Sequence, residues 1–329
     1  MASPKTTLSI TDFEKSLADL DKNIEALAAA GQYDEQVDEL RQTRQRLVLE
    51  IFAHLSPWDE VELARRPDRP YSLDYIKILF EEYTELHGDR LIGDDQAIIG
   101  GLARFEGRSV MVVAQQKGRD LKERQLRNFG YAKPQGYRKA LRLMKLAEKV
   151  GIPVITFIDT PGADSNVGSE ENNISEAIAR NLMEMSVLET PIVSIIIGEG
   201  GSGGAIGLAV ADRILMLEHS IYSVIAPEGC AAILDTFGRD PNRRAEAAAS
   251  LKLTSRGALD FGLIDEVLPE PIGAAHRDPE TTAQTVKDAL SRHINALIDL
   301  PVDEVLARRY NKFRSMGVFE YAAADPVLA

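Results

Sequence analysis

Cysteine is almost missing from this chain: Cys230 is the one example in 329 residues. A single thiol excludes a disulfide framework within the chain and any zinc site of the CxxC kind, and it points to a reducing, cytoplasmic compartment. Long apolar runs are missing as well, and none approaches the roughly 20 residues that a membrane-spanning helix needs. The opening MASPKTTLSITDFEK has no apolar core of a secretory signal. Asp12 and Glu14 also set it apart from an acid-poor transit peptide. Positive charge is in deficit. Lys and Arg number 38 against 51 Asp and Glu, a net −13, which argues against a chain-wide attraction to nucleic acid. No G-x-x-x-x-G-K-[ST] string occurs, so Asp159-Thr160-Pro161-Gly162 has the form of a nucleotide-switch D-x-x-G without the phosphate loop such a switch requires.

What is present begins with ordinary globular proportions, 44% apolar and 27% charged, in a chain long enough for one large domain or two smaller ones. Phe13, Leu17, Leu20, Ile24 and Leu27 recur at steps of four and three. They predict a helix that opens on a Thr11–Glu14 capping box and stops at Gly31. A second helix follows, with Val37, Leu40, Leu47 and Ile51 on one face and Arg44 interrupting it. The hairpin packs either on its own body or as an oligomer arm. Residues 56–71, with three prolines, read as a linker. Ser72 is placed to cap a helix carrying Ile76, Phe80 and Tyr83. Residues 97–104 and 109–116 read as paired strands about a Glu106-Gly107 turn. From 136 onward helices (136–150, 170–187) alternate with continuous apolar runs (152–158, 191–197), then strands at 213–217 and 221–225, and helices over the remainder. This alternation predicts a layered α/β core. The expected divisions are 1–55 for the helical hairpin, 56–300 for the main domain and 301–329 for a helical tail.

The richest stretch is GEGGSGGAIG, residues 198–207, six of ten being glycine. Gly198, Gly200 and Gly203 fit G-x-G-x-x-G after a strand, and Glu218 ends the next strand as a ribose-binding acid would. Yet Gly204 to Arg213 leaves room for only about two helical turns, short for a dinucleotide-fold crossover. Gly200, Ser202 and Gly204 fit the G-x-S-x-G of a nucleophile elbow, with Asp235 or Asp240 and His276 as chain-order partners. Nothing in GAAHRD marks His276 as a base. A further reading uses no side chain. Glycine lets a substrate approach the main chain, and adjacent N–H groups at a helix start favour a developing negative oxygen, which makes an oxyanion hole.

Several longer strings carry a resemblance. RPYSLDYI (69–76), PQGYRKALRLM (134–144), ITFIDTPGA (155–163), SEAIARNL (175–182), IGEGGSGGA (197–205), APEGCAAIL (226–234) and YNKFRSMGVFE (310–320) occur in one order along the chain. Together they resemble the α subunit of the bacterial-type acetyl-CoA carboxylase carboxyltransferase. The resemblance implies a crotonase-like fold, a spiral of ββα units. It also implies an α2β2 heterotetramer with a β subunit that carries its own zinc ribbon. The carboxybiotin is held on a separate biotin carboxyl carrier protein, with biotin carboxylase in the full complex. The implied reaction moves the carboxyl group to acetyl-CoA and gives malonyl-CoA for fatty-acid synthesis, with no metal in this chain. The backbone of Gly203 and Gly204 would then form an oxyanion hole for the biotin ureido oxygen, with Gly200 and Gly201 shaping the loop. Gly162 and Ala163 would either line the same cleft or form a plain strand-to-helix turn.

Residues 117–145 hold ten Lys or Arg and only Asp120 and Glu123 as acids, a +8 block in an acidic chain. Lys117, Arg119, Arg138 and Lys139 are the candidates there for CoA phosphates or an acidic carrier domain, against the alternative of a solvated face or subunit contact. The run DSNVGSEENNI (164–174) departs from the family pattern, with a charge at Asp164 and Asn173-Ile174 in place of Gly-Gln. A non-catalytic assembly subunit of the same complex therefore stands as the second reading, while the intact EGGSGGA favours a catalytic one.

Overall fold

A computed structural model of the chain describes residues 9–31 and 34–317. Residues 1–8 of the opening stretch, and 318–320 of the C-terminal string with the rest of the tail, lie outside them. The fold is organised by eight strands: β1 (Glu81–Glu85), β2 (Ile98–Phe105), β3 (Arg108–Gln115), β4 (Val154–Thr160), β5 (Ile192–Gly201), β6 (Arg213–Leu217), β7 (Ile221–Ser223) and β8 (Glu266–Leu268). Seven of them lie side by side in the order β1-β2-β3-β4-β5-β6-β8, and β7 pairs with β5. The β1-β2-β3 pairs are antiparallel, and Glu106 and Gly107, both at positive φ, form the tight β2–β3 turn. From β3 onward every pairing is parallel.

Parallel strands must be covered on both faces, which explains their unbroken apolar runs. Helices Pro134–Val150 and Ile174–Ser186 contribute to the core on one face, with Val154, Ile158, Ile192 and Ile196 pointing toward them. Helices Ser72–Leu79 and Pro279–Ile298 cover the other, against Ile155, Phe157, Val193, Ile195 and Ile197. The two-residue alternation of the strand thus splits each run between two cores. Thr156 and Ser194 are the polar exceptions. Their hydroxyls lie 2.6 Å apart and both reach the Leu208 carbonyl, so no buried oxygen is left without a partner there.

The helical hairpin comprises Ile10–Ala30 and Asp34–Phe52, and Gly31 closes the first helix at φ +63. Ile10, Phe13, Leu17 and Val48 pack with Leu63 and Ala274 of the body; each such side chain contributes about 1.5–3 kcal/mol. The cap is Ser9, whose hydroxyl accepts the Asp12 N–H, two residues before the expected start at Thr11. Arg44 interrupts the apolar face of the second helix because it pairs with Asp21 across the hairpin. Val48 occupies the buried position expected of Leu47, which is exposed.

The expected linker at 56–71 contains a helix, Pro57–Ala64. Ser56 and Asp59 form a full capping box and Pro57 sits in the first turn, where its missing N–H costs nothing. The next helix begins one residue earlier than a Ser72 cap would give and ends at Leu79, so Tyr83 falls on β1. The expected helix at 170–187 is two, Val167–Glu171 and Ile174–Ser186, broken where Asn173 takes φ +60. Strand β8 sits in a region expected to be helical. The last helix described, Val302–Arg314, is anchored by Arg309, which is 1% exposed. Its guanidinium donates to both Asp212 carboxylate oxygens and to the carbonyls of Met185, Leu188 and Thr190.

Candidate active site

β5 is the longest strand, and its last residues leave the register of the sheet. Through Ile196 it pairs with β4 and β6; from Glu199 to Gly201 it pairs with β7, while Gly200 also opposes Thr160. The glycine-rich segment therefore emerges at the C-terminal ends of the parallel strands, where open α/β sheets place ligand sites. A five-residue helix, Ser202–Ile206, follows at once, and no side chain caps its start. The first-turn N–H groups of a helix have no intrahelical partner, and here these include Gly203 and Gly204.

The turn after β4 lies directly against this loop. A Cβ on Gly201 would stand 2.2 Å from the Pro161 carbonyl oxygen, and one on Gly204 would stand 2.5 Å from the Gly162 carbonyl carbon and 2.8 Å from the Ala163 nitrogen. Two main chains touch with no side chain between them, which is a close approach only glycine permits. A Cβ on Gly203, by contrast, would meet only the Ile178 Cδ1 at 3.6 Å. Gln115 at the end of β3 joins the two turns: its Nε2 donates to the Gly204 carbonyl at 2.7 Å and its Oε1 accepts the Asp159 N–H at 3.1 Å. Thr160 steadies the second turn, accepting the Gly162 N–H through an Oγ1 that also lies 2.7 Å from the Gly130 carbonyl.

Beside the turns opens a cleft of about 550 Å³, lined among others by Arg65, Tyr71, Lys117, Arg119, Phe129 and Pro161. A chain of charges forms one wall. Lys117 Nζ lies 2.7 Å from Asp159 Oδ1 and 3.3 Å from Glu199 Oε2; Arg65 holds Glu199 Oε1 at 2.7 Å and Glu228 at 2.7 Å. Burial pushes the Glu199 carboxyl up, but Lys117 and Arg65 outweigh it and the net shift is downward. Burial likewise pulls the Lys117 ammonium down, and Asp159 and Glu199 reverse it. The charged forms of Glu199 and Lys117 thus favour each other.

The other basic candidates are dispersed. Arg119 lines the cleft with its guanidinium 4.7 Å above the Tyr71 ring, paired to Asp74 and donating to the Pro67 carbonyl. Arg138 is half-buried and donates to the Asn172 carbonyl at 2.6 Å, bracing the 164–174 segment. In that segment Asp164 accepts from Asn166 and Ser169, so the unusual charge organises a local turn. Lys139 differs from the expectation raised by charge. Its side chain is fully buried, with the ammonium on Asp94 Oδ1 and the Asp95 carbonyl at 2.8 Å, and it is not among the residues lining the cleft.

Ser202 has φ +49 between a strand and a helix, the backbone form of a nucleophile elbow. The partners for that chemistry are elsewhere. His54, His87, His219 and His293 contact Glu50, Asp94, Glu60 and Glu266, and His276 is buried 3.6 Å from Glu14 of the hairpin. Asp235 pairs with Arg239 and Asp240 accepts the Asn242 N–H. Every histidine of the chain is accounted for away from Ser202. No group of three or more His, Cys, Asp or Glu that could hold a metal ion occurs among the described residues, and none of the described helices is long and apolar enough to cross a membrane.

A family model described as acetyl co-enzyme A carboxylase carboxyltransferase-like matches residues 10–317. The chain belongs to this family. Among its relatives, the acetyl-coenzyme A carboxylase carboxyl transferase subunit alpha of Methylococcus capsulatus is 48% identical over 321 residues, 96% of this chain and 99% of its own. That of Geobacter metallireducens is 51% identical over 319 residues, 94% of this chain and 97% of its own. The carboxyltransferase-like chain shares its crotonase-like fold with solved structures at low identity. Transcarboxylase 12S with methylmalonyl-coenzyme A and methylmalonic acid bound aligns with a TM-score of 0.56 at 20% identity, over 70% of this chain and 42% of that one, so this chain spans less than half of it. A Pseudomonas malonate decarboxylase hetero-tetramer in complex with coenzyme A gives 0.55 at 16% identity, over 68% and 89%.

Proposed function

We propose that the chain is the α subunit of an acetyl-CoA carboxylase carboxyltransferase and that, with a β subunit, it moves a carboxyl group from carboxybiotin on a separate carrier protein to acetyl-CoA, giving malonyl-CoA. The observation that carries this reading is the bare-backbone contact between the Gly200–Gly204 loop and the Pro161–Ala163 turn, in a chain of this family. When bound, carboxybiotin supplies the carboxyl group and, once that group has left, a basic nitrogen beside an oxygen that has gained negative charge. The N–H groups of Gly203 and Gly204 are the donors this chain offers to such an oxygen. They are fixed before binding by the Gln115 bond to Gly204, and a preorganised donor of this kind is typically worth about 3–4 kcal/mol in the transition state.

The residues present fit the group. Of the loop glycines only Gly203 has room for a Cβ beside it, the adjoining cleft is large enough for a small ring and its tether, and the charged wall is internally paired and does not compete for the donors. Gly162 and Ala163 belong to the turn packed against that loop. Arg119 stays at the cleft mouth as the candidate for phosphate or for an acidic carrier surface.

The test is reconstitution. The chain is mixed with a matching β subunit and malonyl-CoA-dependent carboxylation of biocytin is followed against each subunit alone. Turnover confined to the mixture is the expected result. A complex that forms without turnover would make this the assembly subunit, with the 164–174 segment the first place to look.

A further inference from the structure

The two turns of the site come from different strands, and each is preceded by a buried acid. Asp159 is followed by Thr160, Pro161 and Gly162; Glu199 is followed by the glycines from Gly200. Both acids are nearly sealed from solvent, at 2% and 5% exposure. Asp159 Oδ1 accepts the Glu199 N–H at 3.0 Å, and Gly198 leaves room for it, since a Cβ there would lie 2.7 Å from the same oxygen. Two carboxylates this close repel unless a cation is shared between them. Lys117 is that cation. It follows β3 by two residues, reaches both carboxylates with one ammonium, and is itself only 13% exposed. Arg65 holds the outer oxygen of Glu199, so that acid is fixed on both sides.

We propose that Lys117 is a positioning residue, which by clamping Asp159 and Glu199 sets the spacing between the Pro161–Ala163 turn and the Gly200–Gly204 loop. The ammonium is occupied by the two carboxylates. The proposal rests on the carboxyltransferase reading for its activity measure and on the geometry alone for its second measure.

The test uses the assembled α–β complex. In K117M the kcat of malonyl-CoA-dependent biocytin carboxylation is expected to fall about 100-fold, the cost of a displacement near 1 Å, with KM for malonyl-CoA within about threefold of the wild type. K117R, which restores a cation between the acids, is expected to recover at least about tenfold of that loss. Backbone amide exchange at 160–165 and 198–206 is expected to accelerate in K117M and to leave the hairpin unchanged. A raised KM at unaltered kcat would assign Lys117 to a ligand and overturn the proposal. Unaltered exchange in both turns would overturn it as well, whatever the activity. If K117M does not assemble, E199Q decides by the same two measures, since it keeps the shape and removes the charge that the clamp requires. Wild-type complex without turnover would count against the function, and the exchange measurement would still judge the clamp.

Discussion

Alanine at Gly204 perturbs the site at one defined distance. The added methyl would stand 2.5 Å from the Gly162 carbonyl carbon, where ordinary contact begins at 3.4 Å, so the loop and the turn must part by about 0.9 Å. Neither side yields easily, because the obstacle is main chain held by Thr160 and Gln115. Overpacking of this kind costs about 1–3 kcal/mol in stability, and a shift near 1 Å in a catalytic constellation costs about 100-fold in rate. Gly203→Ala is the matched comparison. It adds the same methyl one residue away, where the nearest atom is a flexible Ile178 methyl at 3.6 Å, and it keeps the N–H. The expected result in the reconstituted reverse reaction is a kcat loss near 100-fold for G204A and no more than about threefold for G203A, with both variants assembling with β. Equal losses would refute the argument from backbone contact, and full activity in G204A would remove the two-turn site altogether.

Ser202→Ala is expected to leave carboxyl transfer within about threefold, because a backbone hole does not use the hydroxyl; a loss beyond about 100-fold would restore the nucleophile reading. Lys139→Met is expected to lower stability by about 2–4 kcal/mol in urea melts, since it strands Asp94 beside a buried gap while Asp94 keeps some water; a tenfold rise in KM for malonyl-CoA would instead make it a ligand contact. His219 carries a pH prediction. Burial pulls its pKa down, but the hydrogen bond to Glu60 and the neighbouring acids Glu270 and Glu218 outweigh this and the net shift is upward from 6.5. A raised folded pKa means that the charged pair contributes fully below the unfolded value and is lost as pH rises through the folded one. The stability advantage of the wild type over H219N is therefore expected to be largest near pH 6 and to shrink toward pH 9. An advantage that grows with pH would contradict the assignment.

The elements that were legible in the sequence are those whose signal is local. The period of the first helix and Gly31 mark its course and end, and the apolar runs at 152–158 and 191–197 mark two central strands. The 56–71 segment misleads because proline count is a poor guide without position: Pro57 opens a helix, and only Pro67 and Pro70 lie in the irregular part. Leu47 and Val48 are adjacent and equally apolar, so tertiary contact with the body decides which is buried. The glycine loop announced itself by composition. The acids Asp159 and Glu199 were missed as a pair, although each closes an apolar strand and a charge in that position needs a partner. Those partners, Lys117 and Arg65, lie far away in sequence, and only the strand order brings them in. The block of positive charge could not distinguish Lys139, sealed against Asp94, from Arg119 at the cleft mouth, because charge counts carry no information about burial.

Arg309 has a consequence for how the chain is made. Its guanidinium satisfies Asp212 at the head of β6 and three carbonyls where the chain leaves the Ile174–Ser186 helix and enters β5. A ribosome delivers β5 and β6 about a hundred residues before it delivers Arg309. Until then the Asp212 carboxylate, which also accepts the Ile192 N–H at 2.7 Å, lacks its cationic partner, and a buried charge without one is costly. The base of the site-bearing strand therefore gains its cationic partner only after the Val302–Arg314 helix has been made.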